Sequence, residues 1–104
     1  MQIKGKTALV LGAVKGIGKA IGLALAKERA NLVLTRHDWK DSFDCMEKDF
    51  LDSRAEHVII TADLRNIKDI KKLVLYIEKT YGCLDILINN IERGGWPTVH
   101  GKYI

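Results

Sequence analysis

The sequence predicts an α/β fold whose strands form one parallel sheet, in the element order βαβαβαβ. Short apolar runs recur along the chain, and such runs are typical of strands that are buried on both faces. Between them lie stretches in which apolar residues recur every three or four positions, as on one helix face. This alternation favours parallel strands joined by right-handed crossovers. With 104 residues, the chain is expected to form a single domain, residues 1–104.

The first two strands flank the most regular helical stretch. Thr7–Leu11 is a continuous strand-like run that ends at a glycine, and Asn31–Thr35 is the second predicted strand. The helix between them begins at Gly16 and has one apolar face. The residues of that face are Ile17, Ala20, Ile21, Ala24 and Leu25.

The next stretch predicts a second helix and a third strand. Large apolar side chains recur at helical spacing, and a stripe of this kind is expected to face the core rather than a cofactor. The stripe consists of Trp39, Phe43, Met46 and Phe50. His57–Thr61 follows as the third strand.

A third helix and a fourth strand complete the pattern. Asn66 is predicted to cap the helix, with Asp69 three residues later in the capping-box position, and Gly82 is predicted to end it. The apolar face of this helix consists of Ile67, Ile70, Leu73, Val74 and Ile77. Ile86–Asn89 is the fourth strand, and residues 91–104 show no period and are predicted to form a loop.

Three glycines follow the first strand in the pattern Gly-x-x-x-Gly-x-Gly. Gly12 is expected to permit the turn, Gly16 to let the backbone approach a pyrophosphate, and Gly18 to let the helix pack closely. The N–H groups at the start of the helix would face the anion. Between a buried strand and an amphipathic helix, these glycines predict a dinucleotide-binding loop.

In this loop the sequence resembles the short-chain dehydrogenase/reductase family, whose motif is Thr-Gly-x-x-x-Gly-Ile-Gly. All of the motif is present except the threonine, which is Leu11 here. Ala62-Asp63-Leu64 and the run from Leu84 to Asn90 also resemble family segments, so that the resemblance covers roughly residues 3 to 90. It implies a Rossmann-type, doubly wound sheet and an N-terminal, cofactor-binding half of the family fold.

The end of the second strand indicates which dinucleotide is bound. An acidic residue there would favour NAD(H), but the sequence has Thr35-Arg36-His37. A guanidinium can hold a 2′-phosphate, and Lys15 adds a second cation, so NADP(H) is preferred. NAD(H) stays possible, because Asp38 would face the ribose if the strand ended later than predicted.

The resemblance implies roles for further residues. Asp63, beside Leu64, would contact the adenine, and Asn90 would contact the ribose next to the nicotinamide. The residues expected to bind the cofactor are therefore Gly12, Ala13, Val14, Lys15, Gly16, Ile17, Gly18, Arg36, His37, Asp63, Leu64 and Asn90.

The family's catalytic pair, Tyr-x-x-x-Lys, is absent from the sequence. Tyr76 has a lysine three residues later rather than four, so no catalytic residue is assigned. The fold is expected to stop after the fourth strand, whose residues Ile86 to Ile88 would form a bare apolar edge.

The expected function is that of an NADP(H)-dependent oxidoreductase that acts on a small carbonyl or alcohol substrate. The loop also resembles 3-oxoacyl-(acyl carrier protein) reductase-like members, and this chain would supply cofactor binding alone. The alternatives are a non-catalytic nucleotide-binding module or partner subunit, and an S-adenosylmethionine-binding domain, which Arg36 disfavours.

Composition excludes several other classes. The net charge of +4 comes from dispersed charges, and no aromatic platform indicates nucleic-acid binding. The histidines are scattered without metal-ligand spacing, and no run approaches the length of a membrane span. We expect a cytoplasmic protein that forms a homo-oligomer, with no metal.

Overall fold

The computed structural model describes residues 2–91, and these residues form four strands and three α-helices in the predicted order. The elements are β1 (Thr7–Leu11), α1 (Gly16–Lys27), β2 (Asn31–Arg36), a 3-10 helix (Lys40–Ser42), α2 (Phe43–Ser53), β3 (His57–Thr61), α3 (Ile67–Tyr81) and β4 (Ile86–Asn89). The predicted bounds of β1, β3 and β4 are confirmed, whereas β2 continues one residue further, to Arg36. Of the predicted loop, residues 92–104 lie outside the described residues.

The four strands form one parallel sheet in the order β3-β2-β1-β4. β2 and β3 lie on one side of β1, and β4 pairs with β1 on the other side. The order in which strands are added thus reverses at β1, as it does in the dinucleotide-binding α/β folds. Asp85 fixes β4 to β1, since its carboxylate accepts a hydrogen bond of 2.8 Å from the N–H of Thr7. The predicted Rossmann-type fold class is confirmed.

Helices cover both faces of the sheet. On one face, alternate strand residues pack against α1 and α2, and Met46 and Phe50 of α2 are fully buried there. On the other face, Leu9 and Val33 pack against Leu73 and Ile77 of α3. Because β1 and β2 are buried on both sides, their sequences are apolar without alternation, as predicted.

Trp39 departs from the predicted core stripe. The α-helix begins at Phe43, after the 3-10 helix, and Trp39 precedes both with a left-handed backbone (φ 66°). Its side chain is 38% exposed, whereas Met46 and Phe50 are buried. The prediction that Trp39 belongs to the core is therefore wrong, because the turn ahead of the helix carries it away from the sheet.

The third helix differs from its prediction in two details. Ile67 and Val74 are more than half exposed, because the sheet meets α3 along the line of Leu73 and Ile77. Asn66 caps the helix as predicted, by accepting a hydrogen bond from the N–H of Lys68, and Gly82 ends it with φ 80°. The predicted capping box is wrong, however.

The carboxylate of Asp69 is used elsewhere. It accepts a hydrogen bond of 2.8 Å from the N–H of Asp63, in the turn that connects β3 to α3. It therefore holds the turn rather than the N–H of the N-cap residue, Asn66.

β4 forms one edge of the described sheet, and β3 forms the other. Leu87 is 56% exposed, while its neighbours Ile86 and Ile88 pack partly against the core on the α1 side.

Among residues 2–91, no helix is both long enough and apolar enough to cross a membrane.

Candidate functional site

Gly12 turns the chain away from the end of β1. Its φ of +81° lies in the left-handed region that L side chains disfavour. A Cβ at this position would lie 2.3 Å from the carbonyl oxygen of Asn90. Both the backbone conformation and the close contact require glycine, which confirms the role in the turn that the motif predicts.

Thr35, on the neighbouring strand, holds this turn. Its hydroxyl accepts a hydrogen bond of 3.0 Å from the N–H of Gly12, and its side chain is buried. Leu11 stands where the family motif has threonine, so the hydroxyl that orders the turn comes from β2 instead. Sequence reasoning missed this role, although a threonine near the end of an otherwise apolar strand was a signal that could have been used.

The start of α1 lies directly behind the turn. A Cβ on Gly18 would lie 2.0 Å from the carbonyl oxygen of Gly12, so glycine is what allows this close packing. Gly16 has φ +62°, and no atom of the described residues lies within 4 Å of a Cβ built there. The first helical turn carries no acidic side chain, and Lys15 at the N-cap makes no capping bond. The N-terminus of α1 is therefore suited to binding an anion.

Backbone hydrogen bonds join the ends of the strands just beyond the sheet. These bonds run from Ala13 N–H to Thr35 O (3.0 Å), from Ala62 N–H to Arg36 O (2.9 Å) and from Asn90 N–H to Leu11 O (3.0 Å). The side chain of Asn90 adds a bond of 3.3 Å to the carbonyl oxygen of Gly12. The carboxyl ends of the four strands thus form one connected edge.

A cavity of about 540 Å³ lies along this edge. Its volume is within the usual range for small-molecule sites, and ligands of open α/β sheets bind at this end of the strands. The lining residues are Gly12, Val14, Lys15, Thr35, Arg36, His37, Asp38, Trp39, Ala62, Asp63, Leu64, Arg65, Asn90 and Ile91.

The cavity brings together eight of the twelve residues predicted from the sequence. Ala13, Gly16, Ile17 and Gly18 are not among those that line it. Ala13 is fully buried and Ile17 is 71% exposed, so their contribution to binding stays a prediction. Sequence reasoning missed Trp39 and Arg65, because neither stands in a recognised motif.

Arg36 is held in place by three neighbouring side chains. Its Nη1 lies 2.6 Å from a carboxylate oxygen of Glu47, and its Nε donates to the hydroxyl of Thr61 at 3.2 Å. The guanidinium also lies 4.2 Å from the centre of the Phe43 ring. The cation is therefore fixed at the cavity, with part of its charge balanced by Glu47.

Carboxylates also border the cavity. The ring of His37 lies between two of them, with its Nδ1 3.2 Å from Asp38 and its Nε2 3.8 Å from Asp63. Because β2 ends at Arg36 rather than Thr35, Asp38 is two residues beyond the strand and lines the cavity. The alternative in which Asp38 meets a ribose therefore stays open.

Arg65 fixes the carboxylate of Asp63. The N–H and the Nε of Arg65 donate to the same Asp63 oxygen, at 3.0 and 3.1 Å. These hydrogen bonds stabilise the ionised form, so the pKa of Asp63 is lowered from its ordinary value. The carboxylate stays charged well into the acid range.

We expect Arg65→Met to raise the pKa of Asp63 towards its ordinary value, measured by NMR titration of the carboxyl carbon. Since the folded state has the lower pKa, the stability that this pair contributes is present above the unfolded pKa. It is lost as the pH falls through the folded value. Lys68→Met, which removes an exposed cation nearby, should leave the Asp63 titration almost unchanged. An equal shift in both variants would contradict the assignment.

Within residues 2–91, no group of three or more His, Cys, Asp or Glu side chains is arranged to hold a metal ion.

Comparison with known proteins identifies the family of this fold and cavity. Residues 6–97 match the model of the short chain dehydrogenase family. The 3-oxoacyl-(acyl-carrier-protein) reductase FabG of Staphylococcus epidermidis is 31% identical over 85 residues, which are 82% of this chain and 35% of that protein. The NADPH-dependent reductase BacG of Bacillus subtilis is 35% identical over 95 residues, or 89% of this chain and 36% of that protein.

Two solved structures are also similar to this chain. YwfH, an NADPH dependent reductase involved in bacilysin biosynthesis, superposes with a TM-score of 0.76 at 34% identity, over 88% of this chain and 39% of that one. A metagenomic short-chain oxidoreductase in complex with NADP gives a TM-score of 0.79 at 29% identity, over 90% of this chain and 42% of that one. The chain spans little more than a third of the length of the curated relatives. It belongs to the short-chain dehydrogenase family, whose members are oxidoreductases.

Proposed function

We propose that this chain binds NADP(H) for an oxidoreductase that interconverts a carbonyl group and a hydroxyl group. The observation that carries the proposal is the cavity at the ends of the four strands, where the glycine loop meets the cations Lys15 and Arg36. A nicotinamide dinucleotide supplies or accepts a hydride when it is bound, and the residues around the cavity would bind and orient it.

The residues present suit such a dinucleotide. The open space at Gly16 and the uncapped start of α1 leave room and N–H donors for the pyrophosphate. Asp63 and Leu64 line the cavity beyond β3, where the adenine would lie, and Asn90 lines it beyond β4, where the ribose next to the nicotinamide would lie. Lys15 and Arg36 are the candidates for holding a 2′-phosphate.

The named properties of the relatives support NADP(H) and a carbonyl substrate. BacG and YwfH are both described as NADPH-dependent reductases, and the metagenomic oxidoreductase is in complex with NADP. FabG is described as a 3-oxoacyl-(acyl-carrier-protein) reductase, which favours a 3-oxoacyl thioester as the substrate class. The curated relatives also include a glucose 1-dehydrogenase, so alcohol oxidation belongs to the same proposal.

The proposal assigns cofactor binding and no catalytic step to the described residues. Tyr76 packs against the core formed by α3 and the sheet, and it is not among the residues that line the cavity. The curated relatives are more than twice as long as this chain, and we propose that the acid–base group of the reaction lies in the part of such a protein that this chain does not match.

Calorimetric titration of the 104-residue chain with NADPH and with NADH tests the proposal. We expect tighter binding of NADPH, and Lys15→Met should weaken it about tenfold or more because an ion-paired hydrogen bond is worth about 1.5–3 kcal/mol. Binding of NADH should change far less. Lys72→Met, which removes an exposed cation from α3, is the matched control and should leave both affinities unchanged.

The outcomes separate the alternatives. A folded chain that binds neither dinucleotide would overturn the proposed function. Tighter binding of NADH, weakened by Asp38→Asn, would instead assign the ribose to Asp38 and make NAD(H) the cofactor.

A further inference from the structure

Trp39 is a large aromatic side chain that the proposed function has not yet used. It lines the cavity and is 38% exposed, although apolar side chains of this size are usually more deeply buried. Its φ of 66° and ψ of 47° lie in the left-handed region, which is unusual for a bulky residue. The carbonyl oxygen of Trp39 accepts a hydrogen bond of 2.8 Å from the N–H of Ser42, which helps to fix this conformation. Strained residues of this kind tend to cluster at functional sites.

The indole of Trp39 holds the side chain of Lys15. The Nζ atom of Lys15 lies 3.6 Å from the centre of the indole ring, well within the range of a cation–π contact. The two residues come from different loops, one after β1 and one after β2, and both line the cavity. A contact across the cavity wall therefore restricts a side chain that would otherwise have many rotamers.

The contact leaves the charge of Lys15 available. An aromatic face attracts a cation without neutralising it, whereas the carboxylate of Glu47 balances part of the charge of Arg36. Of the two cations proposed for a 2′-phosphate, Arg36 is paired with a carboxylate, whereas the contact that holds Lys15 is with an uncharged ring. The position of Lys15 depends on the ring that supports it.

We propose that Trp39 is a positioning residue that holds the Lys15 ammonium in the cavity and thereby sets the preference for a phosphorylated dinucleotide. The inference rests on the proposed function, because it concerns how that site distinguishes NADPH from NADH. Trp39 acts on the 2′-phosphate through Lys15 and need not touch the nucleotide itself.

Calorimetric titration of four proteins with NADPH and NADH tests the inference: the wild type, Trp39→Asn, Lys15→Met and the double variant. Asparagine removes the ring and tolerates a left-handed backbone, so this variant separates the loss of the indole from strain. We expect Trp39→Asn to reduce the ratio of NADPH to NADH affinity about two- to fivefold. The same change in the Lys15→Met background should have no further effect on that ratio. Trp39→Phe, which keeps an aromatic face, should restore most of it.

Each other outcome overturns the inference. If the wild type prefers NADPH and Trp39→Asn keeps the same ratio, the proposed function stands and the role of Trp39 falls. If the two losses are additive, Trp39 contacts the nucleotide directly rather than through Lys15. A wild type that binds both dinucleotides equally removes the preference to be explained, and one that binds neither overturns the proposed function as well. Urea denaturation of every variant establishes that the proteins compared are folded.

Discussion

Replacing Gly12 by alanine is expected to destabilise the chain by about 2–5 kcal/mol and to abolish dinucleotide binding. A left-handed backbone costs a residue with a Cβ about 1–2 kcal/mol. The new Cβ would also lie 2.3 Å from the carbonyl oxygen of Asn90, and relieving such a collision typically costs about 1–3 kcal/mol more. Domains of this size have only about 5–15 kcal/mol of stability, so urea denaturation should show a large shift of the midpoint.

Gly5→Ala is the matched control for this prediction. Gly5 has φ +79°, against +81° at Gly12, but no described atom lies within 4 Å of the position that its Cβ would occupy. The control should therefore lose only the conformational part, about 1–2 kcal/mol, and should retain binding. Equal losses at both positions would show that the contact with Asn90 is relieved without cost.

Replacing Thr35 by valine is expected to cost about 1–3 kcal/mol of stability and to weaken dinucleotide binding markedly. Valine keeps the shape of threonine but removes the hydroxyl. The part-buried N–H of Gly12 would then lose the oxygen atom that accepts its hydrogen bond. The turn would then lose the bond that fixes its first amide. Urea denaturation and calorimetric titration with NADPH measure the two effects.

Thr35→Ser gives the complementary variant. Serine keeps the hydroxyl and removes a buried methyl group, so it should lose some stability through packing while retaining dinucleotide affinity. The hydrogen bond would have no part in ordering the loop if valine bound the dinucleotide as well as serine does.

The features predicted correctly from the sequence are those set by neighbours in the chain. The glycine loop could be recognised because the left-handed backbone of Gly12 and the close packing of Gly18 on Gly12 involve residues a few positions apart. The strand bounds followed in the same way, since apolar runs that end at polar or glycine residues are visible without a partner.

The features missed depend on residues that are distant in sequence or on a choice between local partners. Thr35 meets Gly12 only because β1 and β2 are paired in a particular register. Trp39 fits the period of α2, yet a left-handed turn ahead of the helix moves it to the cavity. Asp69 has the spacing of a capping box, but the turn at Asp63 offers an N–H that it binds instead.

The backbone bonds that join the strand ends have a consequence for engineering. The edge of the cavity is held by main-chain atoms of residues such as Ala13, Ala62 and Asn90, whereas Lys15, Asp38 and Trp39 project from it as side chains. Substitutions among those side chains can therefore change which nucleotide is selected while the scaffold retains its hydrogen bonds. A small library at these three positions would be expected to yield folded proteins of altered cofactor selectivity, rather than a mixture dominated by unfolded ones.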